Sequence, residues 1–210
     1  MYNYLAIDTS GDFLCAVAKK GDKLVSRFLP DATMKHSVLW LHTVDEVLRE
    51  ARMSLDEADF FAAVVGAGSF TGIRIGISAM KGFALAHGKK TLPITSFDVA
   101  AYNAIESNAA LANGKLLCLI DALHGAYYAC GYQKGEVVLP PAYITQEEVL
   151  RLQSDGYVLC SLAPLDVPSK ICDPRAGLIA AVEAKAKANA FAPLDAVYVR
   201  KSSAEINLCK

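Results

Sequence analysis

The chain has 210 residues and an apolar content of 53%, enough for one large domain or two small lobes around a substantial core. With 21 Lys and Arg against 22 Asp and Glu, the formal net charge of −1 gives no electrostatic footprint for gripping nucleic acid unaided. No apolar stretch reaches the about 18–20 residues of a membrane-spanning helix, and the opening Met-Tyr-Asn-Tyr lacks the basic start and apolar core of a signal peptide.

In chain order, residues 2–8, 13–19 and 23–28 read as a meander of short strands with turns at Gly11-Asp12 and Gly21-Asp22. Residues 33–51 carry Met34, Val38, Leu41, Val44, Leu48 and Ala51 at a helical period. The apolar run 60–65 predicts a buried strand. A glycine-rich loop then leads into a helix over 71–87, which Gly88 can close. A strand at 92–95 and a helix at 97–111 follow.

The order then restarts. Strand 115–121 ends in Ile120-Asp121-Ala122, much as the first strand ends in Ile7-Asp8-Thr9. Strands 126–133 and 136–139 form a second meander, and Thr145 with Glu148 forms a capping box for a helix at 145–152. Strands at 156–161 and 169–172 lead to an alanine-rich helix at 175–190, and the tail from Pro193 carries Ala196-Val197-Tyr198-Val199. This repetition predicts a duplicated α/β fold with an N-terminal lobe over 1–112 and a shorter C-terminal lobe and tail over 113–210. The six cysteines, Cys15, Cys118, Cys130, Cys160, Cys172 and Cys209, include no Cys-x-x-Cys pair and sit mostly in apolar runs. Free thiols in a reducing, cytoplasmic compartment are expected.

The loop Gly66-Ala67-Gly68-Ser69-Phe70-Thr71-Gly72 places bare N–H groups at a helix N-terminus, which suits an anion or the close approach of another backbone. No Lys-Ser/Thr completes a Walker A loop. Asp8, Thr9 and Ser10 end the first strand, where they could orient a magnesium-bound water and hold a phosphate, or could only satisfy a local turn. Asp8, Thr9, Ser10, Gly66, Gly68, Ser69, Thr71 and Gly72 thus form a candidate phosphate loop. His36 and His42 point about 120° apart on a helix, which argues against a metal pair. His87 and His124 have no cysteine or carboxylate cluster around them in sequence. Gly72, Gly76, Ala79 and Ala86 let another helix approach closely, or pack tightly on their own sheet. The first helix is apolar over a wider arc than one buried face needs, and it carries Trp40, the single tryptophan. A helix–helix interface built on these two helices is expected.

Leu5-Ala6-Ile7-Asp8-Thr9-Ser10, His36-Ser37 with Leu41 and Val47-Leu48, the glycine loop through Gly76 with Lys81-Gly82, Ile120-Asp121-Ala122 and Val197-Tyr198-Val199-Arg200 together resemble the bacterial TsaB (YeaZ) family of tRNA threonylcarbamoyladenosine biosynthesis proteins. Two positions depart from that pattern: Ala67 replaces the usual proline, and Leu123 the usual arginine. The resemblance implies an α/β, two-lobed actin/Hsp70-like (ribonuclease H-like) duplicated fold with a truncated second lobe. It further implies an inactive paralogue, a scaffold that binds and activates the threonylcarbamoyl transferase TsaD, with the ATPase TsaE joining the assembly. A homodimer is expected when the chain is alone, with tRNA reached only through the complex and no membrane association. No cofactor is expected on the isolated chain, with ATP or ADP at the complex interface. No catalytic or metal-binding residue is implied. The partner and dimer interface is expected at His36, Leu39, Trp40, Thr43 and Val47 of the first helix and Ile73, Gly76, Ile77 and Met80 of the second. Two competing functions remain. An ATP-dependent kinase or ATPase would use Asp8 and the glycine loop but needs a full second lobe. A peptidase lacks both a Gly-x-Ser-x-Gly elbow and a His-Glu-x-x-His motif.

Overall fold

The structure, a computed structural model, describes residues 2–199. Its first half runs β1 (Tyr4–Asp8), β2 (Leu14–Lys20), β3 (Lys23–Leu29), α1 (His36–Ala51), β4 (Phe60–Val64), α2 (Phe70–His87), β5 (Lys90–Ile94) and α3 (Ser96–Ser107). Its second half runs β6 (Lys115–Asp121), β7 (Ala126–Gln133), β8 (Glu136–Thr145), α4 (Gln146–Ser154), β9 (Tyr157–Ser161), β10 (Lys170–Ile171) and α5 (Pro174–Lys187). The first sheet has the order β3-β2-β1-β4-β5 and the second β8-β7-β6-β9-β10, the same plan traced twice. In each, a three-stranded antiparallel meander is continued by two parallel strands. This is the duplicated α/β architecture expected from the repeated Ile-Asp strand ends. The second copy is the smaller: β10 has 2 residues and α4 has 9, against 5 in β5 and 16 in α1.

Several boundaries differ from the periodicity, each for a local reason. Helix α1 begins at His36, not Thr33, because Met34 takes a left-handed backbone (φ 62) and Ala32 N donates to Asp12 O instead. Strand β8 continues through Pro140 and Pro141, since it is the edge of its sheet, where a missing N–H breaks no ladder. Helix α3 stops at Ser107, and Asn108 caps a short 3₁₀ turn at Ala109–Ala112 by accepting from Ala110 N.

The helices are shared between the sheets. α1 and α2 cover the outer face of the first sheet, burying Leu5, Ile7, Phe61 and Ala63 under Val44, Val47, Ile73 and Met80. The opposite face packs against α5 of the second half, through Leu178, Ala181, Val182 and Ala186. α3 of the first half covers the second sheet, setting Phe97, Ala100 and Ala104 over Leu116, Cys118, Cys130 and Cys160. α4 covers the far side with Val149. A buried network reinforces this exchange: Asp98 on α3 accepts from Tyr132 Oη of β7 at 2.9 Å and pairs with Lys185 Nζ of α5 at 2.9 Å.

At the contact between α3 and α5, a Cβ on Gly177 would sit 2.2 Å from Val99 O. Gly177→Ala therefore lowers the unfolding free energy by about 2 kcal/mol, even though alanine is the better helix former by about 1 kcal/mol. Urea unfolding followed by Trp40 fluorescence reads this directly. An unchanged midpoint contradicts close packing of the exchanged helices.

Candidate functional site

The turn after β1 and the glycine loop after β4 meet side by side. Parallel pairing of β1 with β4 brings their C-terminal ends together, so the two loops emerge as neighbours. Ser69 N donates to Ser10 O at 2.7 Å, and the Thr9 hydroxyl donates to Gly72 O at 2.7 Å. Gly68 and Gly72 are required here, because a Cβ on either would lie 2.3 Å from Ser10 O or 2.0 Å from Thr9 O. Gly76 likewise leaves room for Thr9 Oγ1, 2.7 Å from where its Cβ would be. Ser69 caps α2 by accepting from Gly72 N at 3.2 Å.

The structure thus brings together Asp8, Thr9, Ser10, Gly68, Ser69 and Gly72, largely bonded or packed on one another, while Gly66 accepts from Ser96 N and lies against Val197. The N–H groups of Ser69 and Gly72 are not bare: one bonds Ser10 and the other the cap, so of the two roles read from the loop, close backbone approach is the one observed. Thr71 is the exception in the set, since it faces the groove between α1 and α2 rather than Ser10.

Asp8 is fully buried. Its Oδ1 accepts from Ser10 N at 2.8 Å and from the Ser10 hydroxyl at 2.7 Å, while its Oδ2 has no hydrogen-bond partner among the described residues. Burial is the largest influence and raises its pKa above the usual carboxylate range, against weaker opposing effects from Ser10 and His36. The hydroxyl inventory agrees. The Ser96 hydroxyl donates to Ala67 O, and Ser10 Oγ lies 3.0 Å from Ser96 Oγ. With Asp8 ionised, the single Ser10 proton cannot serve both Asp8 and Ser96. With Asp8 protonated, a continuous chain runs from Asp8 through Ser10 and Ser96 to Ala67.

These loops open onto a cleft of about 530 Å³ between the two sheets, bounded by Ser10, Ser69 and Ser96 on one side and Asp121, Leu123 and Leu162 on the other. The charged side chains on its lining are Asp12 and Asp121, with no Lys or Arg among the described residues. A nucleotide phosphate chain would meet two carboxylates there and, among the described residues, no side-chain cation. Leu123, exposed and with φ 66, lines the cleft beside Asp121.

The α1–α2 pair requires a correction. His36, Thr43, Val47, Ile73, Gly76, Ile77 and Met80 lie beneath the helices, against the sheet, and Met80 has no exposed surface. In this structure they present little or no surface to a partner. His36 donates from Nε2 to Phe13 O at 3.0 Å. Leu39 and Trp40 are half-buried at the edge of this layer. The outward residues are one helical step round: Val38 (77% exposed), Leu41, Phe70 and Leu85 (87% exposed). Between the helices lies a groove of about 750 Å³ lined by Trp40, Phe70, Arg74, Ala79, Gly82 and Phe83, among others. The sequence reading missed Phe70, Arg74, Gly82 and Tyr198. The i,i+4 spacing of Phe70 and Arg74, which puts the guanidinium 3.8 Å from the ring centroid, was the available signal. His42 is exposed beside Glu46, and among the described residues no group of three or more His, Cys, Asp or Glu is placed to hold a metal ion.

A protonated Asp8 has a measurable consequence. A carboxyl whose folded pKa exceeds its unfolded value gives stability that is complete at low pH and is lost as pH rises from about 4 through the raised value. Asp8→Asn cannot ionise, so in urea unfolding from pH 4 to 8 it gains on the wild type, at up to about 1.4 kcal/mol per pH unit. Parallel stability curves contradict a buried neutral Asp8.

The TsaD family model, described as tRNA N6-adenosine threonylcarbamoyltransferase, matches residues 28–170. The Escherichia coli tRNA threonylcarbamoyladenosine biosynthesis protein TsaB is 33% identical over 132 residues, 63% of this chain and 55% of that protein. Its Bacillus subtilis namesake is 27% identical over 61% of this chain and 54% of that protein. The chain spans about half the length of the curated relatives it matches. YeaZ from Pseudomonas aeruginosa superposes with a TM-score of 0.75 at 21% identity, covering 94% of this chain and 100% of that one, so the two share a fold. Among the described residues no helix is long and apolar enough to cross a membrane. With a family match that runs from β3 through the second sheet and a fold shared with YeaZ, the chain belongs to the TsaD family, where proteins named TsaB are among its similar relatives.

Proposed function

We propose that this chain acts in tRNA threonylcarbamoyladenosine synthesis as a non-catalytic subunit that docks a TsaD-type transferase through its α1–α2 face and holds it in a competent conformation. The observation that carries this reading is the exposed apolar face of Val38, Leu41, Phe70 and Leu85 around the groove at Trp40. Several large apolar side chains exposed on two neighbouring helices, beside a groove lined by Trp40, Phe70 and Phe83, suit a protein–protein contact. The cleft supports the same reading, because the loops that would cradle a phosphate are closed on each other. A TsaE-type ATPase joins the assembly, and tRNA is reached through the transferase, consistent with a net charge of −1. The complex works in the cytoplasm, and without its partner the chain pairs with itself through the same helices.

An ATPase of the same superfamily is the competing reading, and the buried, unpartnered Asp8 Oδ2 is what favours it. ATP turnover by the purified chain that disappears in Asp8→Ala would establish it over the scaffold.

Size-exclusion chromatography with light scattering, on the chain mixed with the TsaD-type subunit of its own organism, tests the scaffold. A one-to-one complex forms with the wild type. Leu85→Glu, fully outside the core, and Trp40→Glu each weaken it by about 100-fold or more. A complex untouched by both substitutions removes this face from the interface.

A further inference from the structure

Among the described residues Arg74 is the one charged side chain on the lining of the α1–α2 groove. It is held in an unusual way for an exposed arginine. Its guanidinium lies 3.8 Å from the Phe70 ring centroid, and its Nε donates to the Tyr198 hydroxyl at 3.0 Å. The Phe70 and Tyr198 rings stack at 5.2 Å. The strap that carries Tyr198 is itself pinned, with Val197 N donating to Val65 O at 2.7 Å and Leu194 fully buried. These contacts fix the stem of Arg74 and leave its two terminal amino groups without a carboxylate among the described residues. Nearby cations differ: Lys81 is paired with Asp195, Arg49 with Asp45, and Arg27 with Glu46 and Glu50.

Gly82 supplies an independent observation. It sits exposed in the middle of α2, where glycine costs about 1 kcal/mol relative to alanine. Gly72 and Gly76 are needed by Thr9, but a Cβ on Gly82 would meet nothing within 4 Å. Nothing in the described chain uses its missing side chain, and it opens onto the groove.

We propose that the groove takes a helix of the catalytic partner whose carboxylate is gripped by the free fork of Arg74 and whose backbone crosses closely at Gly82. The inference rests on the reading of the α1–α2 face as the place where that partner docks. A planar guanidinium already oriented by two rings matches a carboxylate in two parallel hydrogen bonds and loses little freedom on binding. A second copy of this chain is the poorer occupant. Its α2 carries no acidic residue, and its α1 carboxylates Asp45, Glu46 and Glu50 are each already paired.

Calorimetric titration of the full chain with the TsaD-type subunit, in 50 and 500 mM NaCl, tests this. Arg74→Gln weakens the low-salt Kd by about 10- to 100-fold and removes most of its salt dependence, and Arg74→Lys restores only part of it. Gly82→Ala raises the melting temperature of the free chain yet weakens the complex, a combination that loss of folding cannot produce. Wild-type affinity and salt dependence in Arg74→Gln, with binding abolished by Leu85→Glu, overturn the anchor and leave the docking face standing. Binding unchanged in all of these variants overturns the docking face itself. If Arg74→Gln instead splits a self-dimer and spares the mixed complex, the occupant is a second copy and the proposal fails.

Discussion

Two backbones pass closer at the end of β1 than side chains would allow. Ser10 O and Thr9 O occupy the space where Gly68 and Gly72 would carry a Cβ, and Ser69 N and Gly72 O close the contact with hydrogen bonds. This contact sets the start of α2, and through it the angle at which α2 lies on the sheet beside α1. A loop composition that elsewhere cradles phosphate serves here as a backbone clasp. Ser69 N, Gly72 N and the Thr9 hydroxyl are satisfied within it. Asp8 sits behind the clasp, where burial raises its pKa and so favours its neutral form.

From that fixed position the consequences run outward. The inner stripe of α1 and α2 belongs to the core, and the outer side mixes exposed apolar residues, Val38, Leu41, Phe70 and Leu85, with polar and charged ones. The two sheets are tied by exchanged helices and by the Asp98 network, which favours a cleft of fixed width over a hinged one. On this account the first lobe presents a surface, and the second lobe, with its short β10 and single outer helix, braces it.

Much of this was legible in the sequence, and particular residues show why the rest was not. Alternating apolar runs and Gly-Asp turns located the strands and helices, and the two Ile-Asp strand ends exposed the duplication, because each marks where a first parallel strand leaves its sheet. The clasp was visible as one of two meanings of the same glycines. Composition could not choose between them, since the deciding fact is where Thr9 and Ser10 lie in space. Most of the residues expected at an interface, His36, Thr43, Val47, Ile73, Gly76, Ile77 and Met80, lie on the side of α1 and α2 that the sheet claims. Periodicity reveals that α1 has too many apolar positions for one face but not which stripe the sheet claims. His36 and Thr43 look like surface residues by type, yet one reaches Phe13 O and the other Leu39 O, so both are buried. β8 was read short because Pro140 and Pro141 end most strands, and only knowledge of its edge position permits them.

Hydrogen exchange read by mass spectrometry, on the chain alone and with the TsaD-type subunit, bears most directly on the claim that this is a docking subunit whose glycine loop is closed on the turn after β1. The account predicts slowed exchange in the peptides spanning 37–42 and 70–85, with residues 8–12 and 120–124 unchanged. Protection confined to 8–12 and 120–124, and appearing on addition of nucleotide alone, would contradict it.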